Sequence, residues 1–338
     1  MPDAAERRAG ALPTAQARRR YATVLSILIA LSALFAFGLL AWDNPMPVGS
    51  DGFWRIAQLR VTNVTVMAVV AVAQAVATVA FQTVTNNRII TPSIMGFESL
   101  YRVVQTGSVY LFGVAGLVAI QGLWQFGLQI VIMVALAMLL YGWLLTGRYA
   151  NLQIMLLVGI IIGGGLGAIA TFMQRLLTPS EFDVLAARLF GNVSNADADY
   201  LPLAIPLCLG AAALLWARSR RLNVMALGAD TANSLGVNHR RELLITLFLV
   251  AVLMATSTAL VGPMTFLGFL VATLAYQFAD TYDHRLVFPV AVLTAFTILT
   301  GAYFVMRHLF SAQGVVSILI EFVGGIVFLI VILRKGRP

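Results

Sequence analysis

Between Tyr21 and Leu333 the chain is a succession of long uncharged apolar stretches separated by short polar segments. A hydrocarbon core about 30 Å thick is crossed by roughly 20 apolar residues in a helix, because backbone groups find no water there and must bond within their own segment. The uncharged runs are Tyr21 to Trp42, Val61 to Asn87, Val103 to Gly147, Tyr149 to Gln174, Tyr200 to Ala217, Leu243 to Ala279, Leu286 to Met306 and a last stretch to Leu333 that carries only Glu321. Val103 to Gly147 is too long for one crossing and must turn, around Gly113 to Gly122. Leu243 to Ala279 is interrupted by Val261, Gly262 and Pro263, where a helix loses a hydrogen bond and bends or ends. The pattern predicts an all-α, polytopic membrane protein of about ten crossings, two of them short. A soluble domain is excluded, since 60% hydrophobic and 11% charged residues in 338 positions leave too little polar surface to cover a core.

An even number of crossings puts both termini on one side, and that side collects most of the basic residues. It holds Arg7, Arg8, Arg18, Arg19, Arg20, Arg88, Arg148, Arg218, Arg220, Arg221, Arg240, Arg241, Arg285, Arg334, Lys335 and Arg337, whereas the other keeps Arg55, Arg60, Arg175, Arg188 and Arg307 among acids such as Asp51, Glu181 and Asp197. Lys and Arg accumulate on the cytoplasmic side, so both termini are read as cytoplasmic and the net charge of +8 as a topology signal rather than a nucleic-acid footprint. Residues 1–20 are polar, Arg-rich and without a small-residue cleavage site, which predicts a disordered cytoplasmic tail before a transmembrane domain over 21–338. Cys208, the sole cysteine, allows no internal disulfide and sits in an apolar run as a packing residue.

Two hairpins share a pattern. In the first, an apolar run ends in Thr83 to Arg88, after which Thr91 can cap a helix with Pro92 at its first position, and that helix begins SIMGF. In the second, Leu260 to Pro263 precede TFLGF, so that Gly96, Phe97 and Gly268, Phe269 stand at comparable points. Interrupted helices at matching places of an inverted repeat border transport pathways; chance likeness between Gly-rich membrane segments is the competing reading. Pro92, Gly96, Gly262, Pro263 and Gly268 are the candidate pathway or hinge residues.

The polar interruption ARSRRLNVMALGADTANSLGVNHRRE, centred on residues 218–241, reads as a basic loop carrying a short helix from Ala229 to Leu235 between Gly228 and Gly236. A helix this short is marginal in water, so it gains order by packing on the loop's second helix and in a groove on another protein; a merely solvated connector is the alternative. Asp230 near its start suits the helix dipole. The candidate coupling residues are Leu227, Gly228, Ala229, Asp230, Ala232, Asn233, Leu235 and Gly236. The chain has no phosphate loop, because its single lysine, Lys335, lies in the tail. This chain therefore hydrolyses no nucleotide and holds no nucleotide cofactor of its own; any step driven by ATP would belong to a separate ATPase subunit.

The segment FQTVTNNRIITPSIMGFESLYRVVQT resembles the start of the third span in the FecCD-type permeases, which import iron siderophores, haem and cobalamin through ATP-binding-cassette transporters. LNVMALGADTANSLGVNHRR resembles that family's cytoplasmic coupling helices, and TALVGPMTFLGFLVATLAYQF with DHRLVFPVAVL its seventh to ninth spans; the likeness runs from about Trp54 to Leu333. The family's asparagine-proline pair and Gly-Ala are replaced by Asn87, Arg88 and Glu98, Ser99, which points to the catecholate-siderophore branch. The resemblance implies a second permease subunit, the same or different, two ATPases and an external substrate-binding protein, in a bacterial inner membrane. It also implies that Arg60 and Arg307 receive acidic residues from the two lobes of that binding protein, each gripping one lobe, although only the first arginine of the family's Arg-Leu-Pro-Arg survives, as Arg60, Val61, Thr62, Asn63. Snorkelling to the membrane interface is the alternative for both.

Charges within the spans need partners. Glu98 and Arg102 are spaced to pair along a helix, while Glu321 has no sequence-local partner. Gly159, Gly163 and Gly167 allow close helix approach. His239, His284 and His308 lack carboxylates or cysteines at ligand spacing, so no metal site is expected. The reading that follows is a permease subunit for a ferric siderophore, working by alternating access. Haem or cobalamin import by the same machine is the runner-up. An ion-coupled secondary transporter lacks its relay carboxylates here, and an intramembrane enzyme lacks a catalytic cluster.

Overall fold

The computed structural model describes residues 10–42, 44–119, 122–146, 152–193, 196–308 and 316–335. In chain order the helices are α1 (Ala15–Ala41), α2 (Asp51–Val84), α3 (Glu98–Ala119), α4 (Leu123–Thr146), α5 (Leu152–Gln174), α6 (Pro179–Leu189), α7 (Leu201–Ala217), α8 (Ser219–Met225), α9 (Ala229–Ser234), α10 (His239–Val261), α11 (Leu267–Ala279), α12 (His284–His308) and α13 (Val316–Lys335). The fold is all-helical. Among the described residues 7 helices are long and apolar enough to cross a membrane: α1, α2, α4, α5, α7, α10 and α12. α11 is a shorter apolar helix, α13 is apolar over Val316–Ile330, and α3 bends at Gly113. The turn expected between Gly113 and Gly122 separates α3 from α4, with Gly122 at φ +124°.

Alternation of these spans brings the start of α1, the ends of α2 and α11 and the start of α12 to one end of the bundle. There the Tyr21 hydroxyl donates to Leu286 O at 3.1 Å, and Arg20 meets Asp280 at 2.6 Å. The Thr14 hydroxyl accepts the Ala17 N–H at 3.1 Å and caps α1, so Ala15 to Arg20 form its first turns rather than a disordered tail; residues 1–9 lie outside the described residues. At the opposite end α6 forms a short amphipathic helix that hydropathy alone did not single out. Its start is a capping box in which Glu181 accepts from the Thr178 N–H at 2.9 Å and hydroxyl at 2.8 Å. These bonds hold the Glu181 carboxyl below its ordinary range. The box is therefore fully formed at neutral pH and weakens as pH falls through that lowered value.

α2 and α10 form the centre. Lipid supplies no hydrophobic drive between apolar helices, so small side chains and buried hydrogen bonds must hold them. Ala71, Ala73, Ala75, Ala77 and Ala80 of α2 and Ala251 and Ala255 of α10 are wholly buried, and the Gln74 carboxamide donates to Ser257 Oγ across the pair at 3.1 Å. Cys208 of α7 donates to Val69 O at 3.4 Å, a packing role.

The two expected interruptions are both present. In the first, Thr91 Oγ1 accepts from the Ile94 N–H at 3.4 Å, and Ser93–Phe97 form a π-turn in which Gly96 stands at φ +105°. The glycine stripe of α5 lies across it: a Cβ on Gly163 would come 3.0 Å from Gly96 Cα, and one on Gly159 would come 2.9 Å from the Met95 side chain. In the second, α10 stops at Val261, Gly262 takes φ +84°, and Pro263 and Met264 precede α11. Here the chain after α6 crosses the gap. The Asn192 N–H donates to Val261 O at 2.8 Å, and a Cβ on Gly262 would come 3.1 Å from Phe190 O and 3.2 Å from Arg188 O. Gly268 departs from the sequence reading. It sits inside α11 in regular helix against Thr78 of α2, so the conformational counterpart of Gly96 is Gly262.

Gly262 and Gly228 share a backbone conformation that side chains resist, costing about 1–3 kcal/mol, but a Cβ on Gly228 meets nothing within 4 Å. Gly262→Ala should therefore lower the thermal midpoint of the detergent-purified protein clearly more than Gly228→Ala, by a further ~1–3 kcal/mol of overpacking. Equal midpoints would show that the close crossing at the second break is not as described.

Candidate coupling and docking sites

The 218–241 loop leaves α7 at Ala217 and is clamped before it folds. Arg218 donates to Glu242 from Nε (3.2 Å) and Nη2 (2.6 Å), and Arg221 Nη1 donates to the same carboxylate at 2.6 Å. The Glu242 side chain is 7% exposed, while Arg218 and Arg221 are 24% and 56% exposed, so the carboxylate is the shielded partner and the forked geometry of Arg218 carries most of the contact. Sequence reading counted these arginines only among the cytoplasmic basic residues and passed over Glu242, whose only sequence signal is an acid in the first turn of α10.

Beyond the clamp, α8 turns at Gly228 into α9. The end of α9 is a full Schellman arrangement: the Val237 N–H reaches Ala232 O at 2.9 Å, the Gly236 N–H reaches Asn233 O at 3.0 Å, and Gly236 takes φ +79°. The Asn233 carboxamide accepts from the His239 N–H at 3.1 Å, tying α9 to the start of α10. Ala232 is wholly buried against the loop, whereas Ala229, Asp230 and Asn233 are exposed. Leu227 and Leu235 flank the helix at 59% and 60% exposure. Asp230 lies in the first turn without a side-chain cap bond, Gly228 being the N-cap residue. The result is a small, rigidly capped helix presenting a shallow surface between two exposed leucines, suited to a groove on another protein.

A buried polar relay joins this loop to the spans, and sequence reading missed it. Asn223 of α8 donates to Asp283 at 3.0 Å and accepts the His284 N–H at 3.0 Å and the ring Nδ1. On its other side the His284 ring meets Thr83 Oγ1 of α2 at 2.6 Å. Arg88, just past α2, stacks over both Tyr276 and Tyr282 at 4.4 and 4.8 Å. The coupling loop therefore touches the segment that leads into the first break. Among the described residues no group of three potential metal ligands occurs.

At the other end Arg60 and Arg307 line one cleft with Asn63 and Tyr303. Arg60 is 4% exposed and donates to Leu40 O at 3.2 Å and Trp42 O at 2.8 Å, closing the end of α1. Both arginines therefore belong to one cluster of this chain, and Arg307 is its more accessible member, with no ion pair to another described residue. Glu98 gains a partner the sequence did not suggest. Its carboxylate accepts from the Thr265 hydroxyl at 2.6 Å, Arg102 acts on it by charge without a contact ion pair, and the Thr265 N–H serves Glu321. Thr265 thus bridges the chain after the first break to the second break and to α13. Pro92, Gly96, Gly262 and Pro263 all lie in or beside these two interruptions.

The comparisons with known proteins agree with this architecture. The chain is 53% identical to the petrobactin import system permease protein FatC of Bacillus anthracis over 97% of its own length and 93% of that protein. It is 34% identical to the petrobactin import system permease protein YclO of Bacillus subtilis, over 94% of this chain and 98% of that one. A solved structure of an inward-facing ABC transporter of the metal-chelate type shares the fold at a TM-score of 0.78 and 22% identity, covering 93% of this chain and 99% of that one. With residues 21–334 matching the FecCD transport family, the chain belongs to that family of membrane transport subunits.

Proposed function

We propose that the chain is the permease subunit of an ATP-driven importer of a ferric siderophore in a bacterial plasma membrane, with both termini and the α8–α9 loop cytoplasmic. The observation that carries this is the capped α9 surface between Leu227 and Leu235, on a chain 53% identical over nearly its full length to a petrobactin permease. ATP and its magnesium ion bind the partner ATPase. ATP-driven closure of two such ATPases moves α9, and the clamp at Glu242 and the relay through His284 pass that motion to α10 and α2, so that access alternates. The second permease is a different chain of the FatD kind, because FatD of Bacillus anthracis is only 25% identical to this chain while FatC is 53% identical. An external binding protein docks at the opposite end, where Arg307 meets an acidic residue and Arg60 holds the cleft in shape.

Reconstitution tests the function. Liposomes containing this chain, its partner permease, the ATPase and the binding protein should take up ferric siderophore only with hydrolysable ATP; uptake without the ATPase would contradict an ATP-driven importer. Because Ala229 is exposed, Ala229→Trp should leave insertion and thermal midpoint unchanged while reducing ATPase co-purification at least about tenfold, equivalent to ~1.4 kcal/mol. Full co-purification would remove α9 from the interface. Arg307→Glu should slow binding-protein association, most strongly at low salt, with unaltered stability, as a rim charge does. Arg60→Glu should instead lower the melting temperature, since it strips the end of α1. If Arg307→Glu associates like the parent at low salt, the docking role fails.

A further inference from the structure

A cavity of about 460 Å³ lies inside this one chain, between α3, α4, α6 and the end of α10, on the Arg60 and Arg307 end of the bundle. Its size falls within the range of small-ligand pockets, and its floor is the backbone of the second break at Val261 and Gly262. Two buried carboxamides face it: Gln105 of α3 and Gln129 of α4, 5% and 9% exposed. Gln105 Nε2 donates to Gln129 Oε1 at 3.0 Å, and the remaining atoms, Gln105 Oε1 and Gln129 Nε2, have no hydrogen-bond partner. Whichever way the pair is flipped, one acceptor and one donor stay open side by side. Buried polar atoms are rarely left so.

The other walls narrow the chemistry. Arg188 lines the cavity without an ion pair among the described residues, and its backbone is pinned there by the Tyr101 hydroxyl, which donates to Arg188 O at 3.0 Å. Asp197, the acid on the same wall, is exposed and takes the Asp199 N–H at 3.0 Å. Phe126 and Tyr200 stack at 4.7 Å and 9° to give a flat apolar side. A guanidinium on one wall, with an amide donor and an acceptor side by side on another, together match a carboxylate carrying a neighbouring hydroxyl. The carboxylate takes the Arg188 and Gln129 donors, and the hydroxyl donates to Gln105 Oε1.

We propose that this cavity is a subsite for a hydroxycarboxylate group, and that it holds one oxygen-rich arm of the transported chelate on entry. The second clause rests on the importer reading above. Bound there, the arm lies against Val261 and Gly262, where the chain after α6 crosses the second break.

Malate is the probe and succinate, which lacks only the hydroxyl, its control. Titration calorimetry on the full transporter in nanodiscs should show malate binding at least about tenfold tighter than succinate, because a site built for a hydroxyl leaves its acceptor unpaired when the hydroxyl is missing. The double variant Gln105→Leu, Gln129→Leu removes both open atoms together, and Arg188→Met removes the charge while keeping the stem. With parental melting and ATPase co-purification, each should lose malate binding and raise the KM of ferric siderophore uptake at least about tenfold. Absence of malate binding to the parent, or equal binding of succinate, overturns the subsite. Malate binding that is lost in the variants with KM unchanged overturns its role in uptake. A parent that binds malate but transports no ferric chelate contradicts the importer reading and leaves the subsite standing.

Discussion

The pairing of α2 with α10 is the interaction on which the remaining geometry depends. In lipid it cannot be driven by hiding apolar surface, so it rests on the buried alanines and on the hydrogen bond from Gln74 to Ser257. Because α10 is held along its length, its two ends become fixed points. At one, Glu242 gathers Arg218 and Arg221 and orients the loop that carries α9. At the other, the helix stops at Gly262 and receives the chain after α6 through Asn192. A single packed rod thus connects the exposed α9 surface with a break that borders the cavity between α3, α4 and α6.

The breaks are kept open by geometry rather than by weakness. Gly96 and Gly262 take backbone conformations that a side chain would strain, and each is crossed closely by another segment, α5 in the first case and residues 188–191 in the second. Thr265 then ties the two interruptions together through Glu98 and reaches Glu321 of α13. A displacement of one break is therefore felt at the other, as alternating access in the proposed importer requires. Packed segments of this kind shift between discrete arrangements and do not deform smoothly.

Much of this was legible in the sequence because lipid imposes simple rules. Helix existence followed from uncharged length, the break after Val261 from Gly-Pro, and the α9 helix from its bounding glycines. What was not legible depended on three-dimensional partners. Glu242 looks like any first-turn acid until Arg218 and Arg221 fold onto it, and His284 looks like a stray loop histidine until Thr83 and Asn223 enclose it. Arg60 had the right residue type at the right place, yet burial and the carbonyls of Leu40 and Trp42 give it a structural duty that spacing does not reveal. Gly268 matched Gly96 in letters alone, since the requirement for positive φ falls at Gly262. The cavity walls come from four helices distant in sequence, so no local pattern could announce them.

The central claim is that α10 transmits motion from the coupling loop to the second break. Spin labels on a Cys208→Ala background, at Ser234 at the end of α9 and at Phe190 beside the break, would each be paired with a label on the lipid-facing side of α7, and the distances measured by electron resonance with the ATPase assembled. Adding a non-hydrolysable ATP analogue should shift both distances in the parent. In Glu242→Gln the shift at Ser234 should persist while that at Phe190 is lost. A parent in which Ser234 moves and Phe190 does not, or a Glu242→Gln protein in which both still move together, would contradict the account.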